Sequence, residues 1–195
     1  MKKSFIIIGV LVLIVVMFGG CYNSMNGLRL NVDQSWADVQ SSYQRRADLI
    51  PNLVATVKGA ADFEKSTYVA VAQARAGALR NLANTDASKL TPEKLAEIQK
   101  ASAEAQIAAR NVINFAFEQY PQLKANQNFL DLQTQLEGTE NRIKVSRDKY
   151  NEAVKDYNLK ITNFPANLFA GILGFKPRVM FQADAGADKA PKVQF

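Results

Sequence analysis

The chain has 195 residues, enough for one domain and an appendage, and its 48% hydrophobic and 22% charged residues are a globular composition. The absence of histidine and the single cysteine, Cys21, exclude His-based acid–base catalysis, Ser-His-Asp and Cys-His nucleophile systems, ordinary zinc sites and an internal disulfide. The 24 basic and 18 acidic residues give a net charge of +6, or +4 without Lys2 and Lys3. The remaining charges alternate in sign with no basic face or aromatic platform, so no nucleic-acid partner is expected.

The N-terminus reads as an anchor. Residues Phe5 to Phe18 are continuously apolar, and the run reaches Tyr22 if Gly19, Gly20 and Cys21 are counted. As a helix these residues span roughly 27 Å, just enough for a hydrocarbon core. Lys2 and Lys3 precede the run, so the positive-inside rule keeps the first residues in the cytoplasm and the body outside it. Three readings compete. A cleaved secretory signal would need a small-residue site of the A-x-A kind, which does not follow the run. Phe18-Gly19-Gly20-Cys21 looks like a lipobox with Phe in place of an aliphatic residue, in which case Cys21 is lipidated and becomes the first residue of an envelope lipoprotein. An uncleaved signal-anchor helix leaves Cys21 as a bland residue near the outer interface.

From Val32 onward the apolar residues Val32, Trp36, Val39, Tyr43, Ile50, Leu53 and Val57 recur at helical steps, with Arg46 as the one charged member of the stripe. This predicts a helix from about Gly27 to Ala61, bent or locally broken at Pro51. A second, Ala-rich helix is predicted over Phe63 to Leu82. Turn formers in the connector 83–90 precede Thr91-Pro92-Glu93, which has the hydroxyl cap, first-turn proline and acid of a helix start. This third helix runs to about Gln119, where Tyr120-Pro121 stops it. The fourth starts near Asn126 or Asn128 and carries the stripe Phe129, Leu132, Leu136, Thr139, Ile143, Ser146, Tyr150, Val154, Tyr157, Ile161, Phe164. It ends at Asn163-Phe164-Pro165. An apolar segment, 164–175, follows, and the residues from Gln182 are expected to be a mobile tail.

The fold expected is all-α: an antiparallel, up-down, long four-helix bundle (23–164) behind one membrane-spanning helix (1–22), with 165–195 as apolar segment and tail. Such a bundle puts the far ends of its first and fourth helices near Ala60 and Asn126. Equal descent of 14 residues from each brings Arg46 level with Glu140 as a polar pair, unless Arg46 snorkels its head into water.

No GxGxxG, P-loop, EF-hand or HExxH motif occurs, and Glu93, Glu97 and Glu104 fit a solvated helix face better than a metal site. No catalytic residue, metal or cofactor is therefore expected, and the protein is expected not to be an enzyme.

The stretches RRADLIPNLVATVKG (45–59), YPQLKANQNFLDLQTQLEGTENRI (120–143), YNEAVKDYN (150–158) and FPANLFAGILGF (164–175) strongly resemble the LemA family. The resemblance covers nearly all of the chain from Tyr22 to Phe181. It implies a helical bundle behind one membrane helix, facing the exterior or periplasm, with no agreed catalytic residues. It also points to membrane remodelling, or to membrane-bound proteases whose genes neighbour those of some relatives. The lipobox-like Gly19-Gly20-Cys21 departs from the usual family anchor.

Two functions follow as expectations: a scaffold that assembles on a membrane, or a monomeric adaptor presenting its helices to a membrane protein. The expected partners are the lipid bilayer, further copies of the chain in a homo-oligomer, and a membrane protein. Helices two and three look shorter than one and four. The membrane-proximal stretch near Val32, Trp36, Tyr150 and Val154 is therefore expected to lack cover and to join neighbouring copies. Phe164, Leu168, Phe169, Ile172, Leu173 and Phe175 are expected at the bilayer surface, the alternative being that 164–175 folds back into the bundle's open end.

Overall fold

The computed structural model describes residues 2–60, 72, 73, 75–77, 82 and 85–182. The described residues are mostly helical, and none of them lies in a strand. Helix α1 spans Lys2–Ala60, α2 Pro92–Gln119, α3 Gln127–Thr162 and the single turn α4 Asn167–Ala170, with 3-10 turns at Ala87–Lys89 and Pro121–Ala125. Of the helix predicted over 63–82, residues 72, 73 and 75–77 are helical and Leu82 lies in a turn; the rest of that prediction lies outside the described residues.

The apolar N-terminal segment (1–22) and the bundle helix expected from about Gly27 are one continuous helix. One helix runs through Gly19, Gly20 and Gly27, so the boundary expected at residue 22 falls inside it. Each interior glycine costs about 1 kcal/mol of helix propensity. That is not enough to break a helix whose flanks are fixed, by apolar composition on one side and by the core on the other. Nor does Pro51 interrupt α1. Proline lacks the N–H that would have bonded the carbonyl of Ala47, four residues back. Arg75 supplies the missing donor: its Nε donates to Ala47 O at 3.1 Å, while its Nη2 meets Asp48 Oδ1 at 3.2 Å.

The ends of α2 and α3 follow local chemistry. Thr91 Oγ1 accepts from Lys94 N at 3.3 Å, with Pro92 and Glu93 in the first turn, and Asn126 Oδ1 accepts from Phe129 N at 3.2 Å. α1 and α3 run antiparallel, since Trp36 meets Tyr150 and Arg46 meets Glu140. Arg46 also reaches Ser102 of α2, which climbs beside α1 in the same direction.

The core is divided in two. A proximal cluster, nearer the apolar N-terminal stretch, centres on Trp36, Ile98, Tyr150 and Tyr157, and a distal one on Ile50, Leu53, Val112 and Phe129. Between them lie the buried polar residues Arg46, Ser102 and Thr139.

After α3 the chain turns twice. Residues 166–173 form two short helical turns closed by Gly174, whose φ of +75° is open to glycine at little cost. Phe175 N donates to Ala170 O at 2.9 Å and Gly174 N to Gly171 O at 3.3 Å, the paired bonds of a Schellman closure. This closure turns the chain back toward the bundle, where residues 176–182 lie along α3 as a strap. Gly174→Ala would place a Cβ in the left-handed region and should lower stability by ~1–2 kcal/mol in chemical denaturation; an unchanged midpoint would mean that the closure is not needed.

Candidate functional site

The strap corrects an expectation. Trp36 (2% exposed), Tyr150 (0%), Val32 and Val154 are not an uncovered patch. Phe181 lies over them, its ring 5.5 Å from Tyr150, 6.2 Å from Trp36 and 5.0 Å beneath the Arg147 guanidinium. Trp36 Nε1 donates to Thr85 O at 2.7 Å, so the connector before α2 closes the other side. Phe175, expected at the bilayer surface, is buried against Tyr22 and Arg29. Helices two and three need not be as long as one and four, because an extended chain end does the covering.

The strap is held through its backbone by a repeat on α3. Asn151 Nδ2 donates to Phe181 O (3.1 Å) and its Oδ1 accepts from Phe181 N (2.8 Å). Seven residues on, Asn158 does the same with Arg178 O (2.8 Å) and Arg178 N (2.9 Å). Tyr150 and Tyr157 hydroxyls donate to Val179 O (3.0 Å) and Lys176 O (2.9 Å). Two spacings match: seven helical residues rise about 10.5 Å, and three extended residues reach about 10 Å. The sequence signal was the repeated Tyr-Asn within YNEAVKDYN; as a motif it supported a resemblance, but its ladder chemistry was not read.

At the polar layer, Arg46 Nη2 and Glu140 Oε2 are 2.6 Å apart, and Arg46 Nη1 donates to Ser102 Oγ (2.7 Å) and Ser102 O (3.1 Å). The Arg46 side chain is 5% exposed and that of Glu140 34%, so Arg46 does not snorkel to water. Arg46 Nε is buried with no protein partner. Burial lowers the Arg46 pKa against the pull of Glu140, and burial raises that of Glu140 against the pull of Arg46 and Arg110. Desolvation opposes the charge on both partners. The pair therefore fixes register more than it adds net stability.

This layer lies where two solvent-open grooves between α2 and α3 meet. The proximal groove, about 630 Å³, includes Gln99, Ser102, Lys144, Arg147 and Phe181 in its lining; the distal one, about 360 Å³, includes Arg110, Asn114, Phe117, Gln133 and Glu137. Among the described residues no three His, Cys, Asp or Glu side chains come together as metal ligands, and Glu93, Glu97 and Glu104 are exposed.

The remaining predicted residues gather at the proximal end, beside the apolar N-terminal stretch. Phe169 packs edge-on against Phe18, with centroids 5.3 Å apart, while Phe164, Leu168 and Ile172 point outward and Leu173 is half-buried. Cys21 is half-buried against the proximal core.

Two outcomes follow from this geometry. Glu140→Ala strands a buried guanidinium and should lower stability by ~3–5 kcal/mol. Arg46→Met, which keeps the apolar stem and leaves a carboxylate that already touches water, should lose less than half as much; equal losses in urea unfolding would contradict the asymmetry. Burial pushes the Tyr150 hydroxyl up to about 12 from 10.0. The folded state thus holds this proton more tightly than the unfolded chain. Its contribution to stability is complete below pH 10 and lost as pH rises through about 12. Tyr150→Phe should make the alkaline fall shallower, although Tyr157, also raised by burial, retains part of it.

Comparison with known proteins agrees with the sequence motifs. A LemA family model matches residues 35–195. Protein LemA of Metamycoplasma hominis is 30% identical over 146 residues, covering 74% of this chain and 61% of that protein. Magnetosome proteins MamQ 1 and MamQ 2 of Paramagnetospirillum magneticum are each 38% identical over 71 residues, covering 36% of this chain and 26% of theirs. The chain thus spans less than two thirds of the length of these relatives. With a family model matched over residues 35–195, well over half of its length, this chain belongs to the LemA family.

Proposed function

We propose that the protein is a non-enzymatic, membrane-anchored helical scaffold whose bundle stands outside the cytoplasm and assembles with further copies to organise or remodel membrane. The observation that carries this reading is the unbroken α1. The same helix that exposes Phe5 to Phe18 enters the core at Met25 and Val32 with no loop between. A 54-residue stretch of α1, Ser4–Val57, contains an 18-residue window of mean hydropathy 2.8 that is wholly unburied. A side-by-side arrangement of bundles would then dictate the spacing and tilt of their anchors, which is what a scaffold has to do to a bilayer. The lack of histidine supports a non-catalytic role.

The assembling surface in this reading is not Trp36 and Tyr150, which the strap occupies. The α2–α3 grooves, open and lined by both signs of charge, favour a second reading: a monomeric adaptor that seats a segment of a membrane protease or other envelope partner there. Light scattering of the intact protein in detergent separates the two. A discrete multiple of the 21.5 kDa chain is the result expected for the scaffold, and a stable monomer would favour the adaptor. Intact mass spectrometry of the membrane fraction should give a species beginning at Met1; one beginning at an acylated Cys21 would replace the signal anchor with a lipid anchor.

A further inference from the structure

The two helical turns after α3 are built inside out. Their inward positions include the small residues Ala166 and Ala170, 1% and 5% exposed, whereas the large apolar side chains Phe164, Leu168 and Ile172 stand 79%, 58% and 85% exposed. Leu168 and Ile172, four residues apart on these turns, stand outward together, and Phe164 is exposed just before them. No charged residue occurs between Lys160 and Lys176. In water such an arrangement is unfavourable, because the atoms with most to gain from burial are those left out. The closing Schellman turn ties Phe175 to Ala170 and holds the large side chains outward.

The depth of this face can be read from α1. A hydrocarbon core of about 30 Å corresponds to about 20 helical residues, so a span entered at Phe5 leaves the core near Ser24. Phe18 then lies about 10 Å inside the outer boundary at 1.5 Å per residue. Phe169 touches Phe18, and Phe175 touches Tyr22. The outward face of the same turns is therefore carried to the level of the outer leaflet, continuous with the lipid-facing surface of α1.

Resting on the reading of α1 as a membrane anchor, we infer that Phe164, Leu168 and Ile172 form a second membrane contact. It is a wedge inserted among the acyl chains of the outer leaflet beside the anchor helix, and its partner is the lipid itself. The flanking Lys160 and Lys176 extend their stems along the wedge and place their ammonium groups among the headgroup phosphates. A single helix leaves a bundle free to swivel and tilt; a second insertion point beside it fixes which face of the bundle lies toward the bilayer.

The test uses the full-length protein in phosphatidylcholine vesicles. Ile172→Trp is placed at an exposed position and should leave the fold intact. Its emission is compared with that of the unsubstituted protein, whose Trp36 lies about 18 Å beyond the hydrocarbon by the same rise per residue. The substituted protein should show an added, blue-shifted component. Acyl-brominated lipids should quench that component at least several-fold more than Trp36, and aqueous iodide should scarcely affect it. A red-shifted component quenched by iodide would overturn the wedge, leaving the face in water. A component insensitive to both quenchers would also overturn it, because protein, such as a second copy, then covers the face. Vesicle flotation separates the two levels of the argument. Flotation with either contrary quenching result removes the wedge alone, while failure of the unsubstituted protein to float removes the anchor reading and the wedge together.

Discussion

Arg46 must remain charged, yet it stands on the apolar stripe of α1 with almost none of its side chain exposed. Only a narrow set of placements of α2 and α3 relieves that conflict. Glu140 has to arrive at one end of the guanidinium and Ser102 at the other, so a single side chain fixes the axial position of two other helices. The apolar clusters above and below would tolerate sliding, since hydrophobic contact has no direction; the layer at Arg46 would not. Once α3 is in register, Asn151 and Asn158 fall where the returning strap can use them, and Trp36 gains its cover.

The helices and their caps were legible because the information is local. A hydroxyl before Pro92 and an amide before Gln127 begin helices in almost any context, and the stripe on α3 is buried nearly throughout, apart from Leu132 and Phe164 at its ends. The level of Arg46 against Glu140 was also open to arithmetic, because an up-down topology makes equal counts from the turn meet. The strap was not legible in the same way. Residues 176–182 have no periodicity, and what binds them is their own backbone, which any sequence possesses. The specific half of the contact lies on α3, as two carboxamides and two phenols seven residues apart. Read as one face of a helix, Tyr150 and Tyr157 are simply core residues. The continuity of α1 was not legible because the apolar run to Tyr22 and the stripe from Val32 carry different patterns and read as two segments, the second beginning near Gly27.

In the proposed arrangement, the apolar end of α1 and the bundle solve the same physical problem with opposite solvents. Along α1 the large apolar residues point everywhere up to Phe18, whereas from Met25 on most of them are buried against the bundle, with Leu30 an exposed exception. After α3 the pattern inverts once more, with alanines inward and Phe164, Leu168 and Ile172 outward. A helix surface alone does not reveal its neighbour, but two such surfaces at one level narrow the choice. The proposed scaffold and the proposed wedge therefore draw on one feature, the shared height of Phe18 and Phe169.

The unbroken α1 has a consequence for how this architecture can vary. A flexible linker absorbs insertions without disturbing what it joins, but a helix converts each added residue into about 100° of rotation and 1.5 Å of rise. One residue inserted between Phe18 and Cys21 would swing the Phe18 face away from Phe169 while leaving the contacts of Cys21, Tyr22 and Met25 with the bundle intact. Length changes that preserve the phase come in groups near whole numbers of turns, such as 7 or 11 residues. Anchor and bundle are thus geared together, and their spacing can change only in steps, like teeth on a wheel.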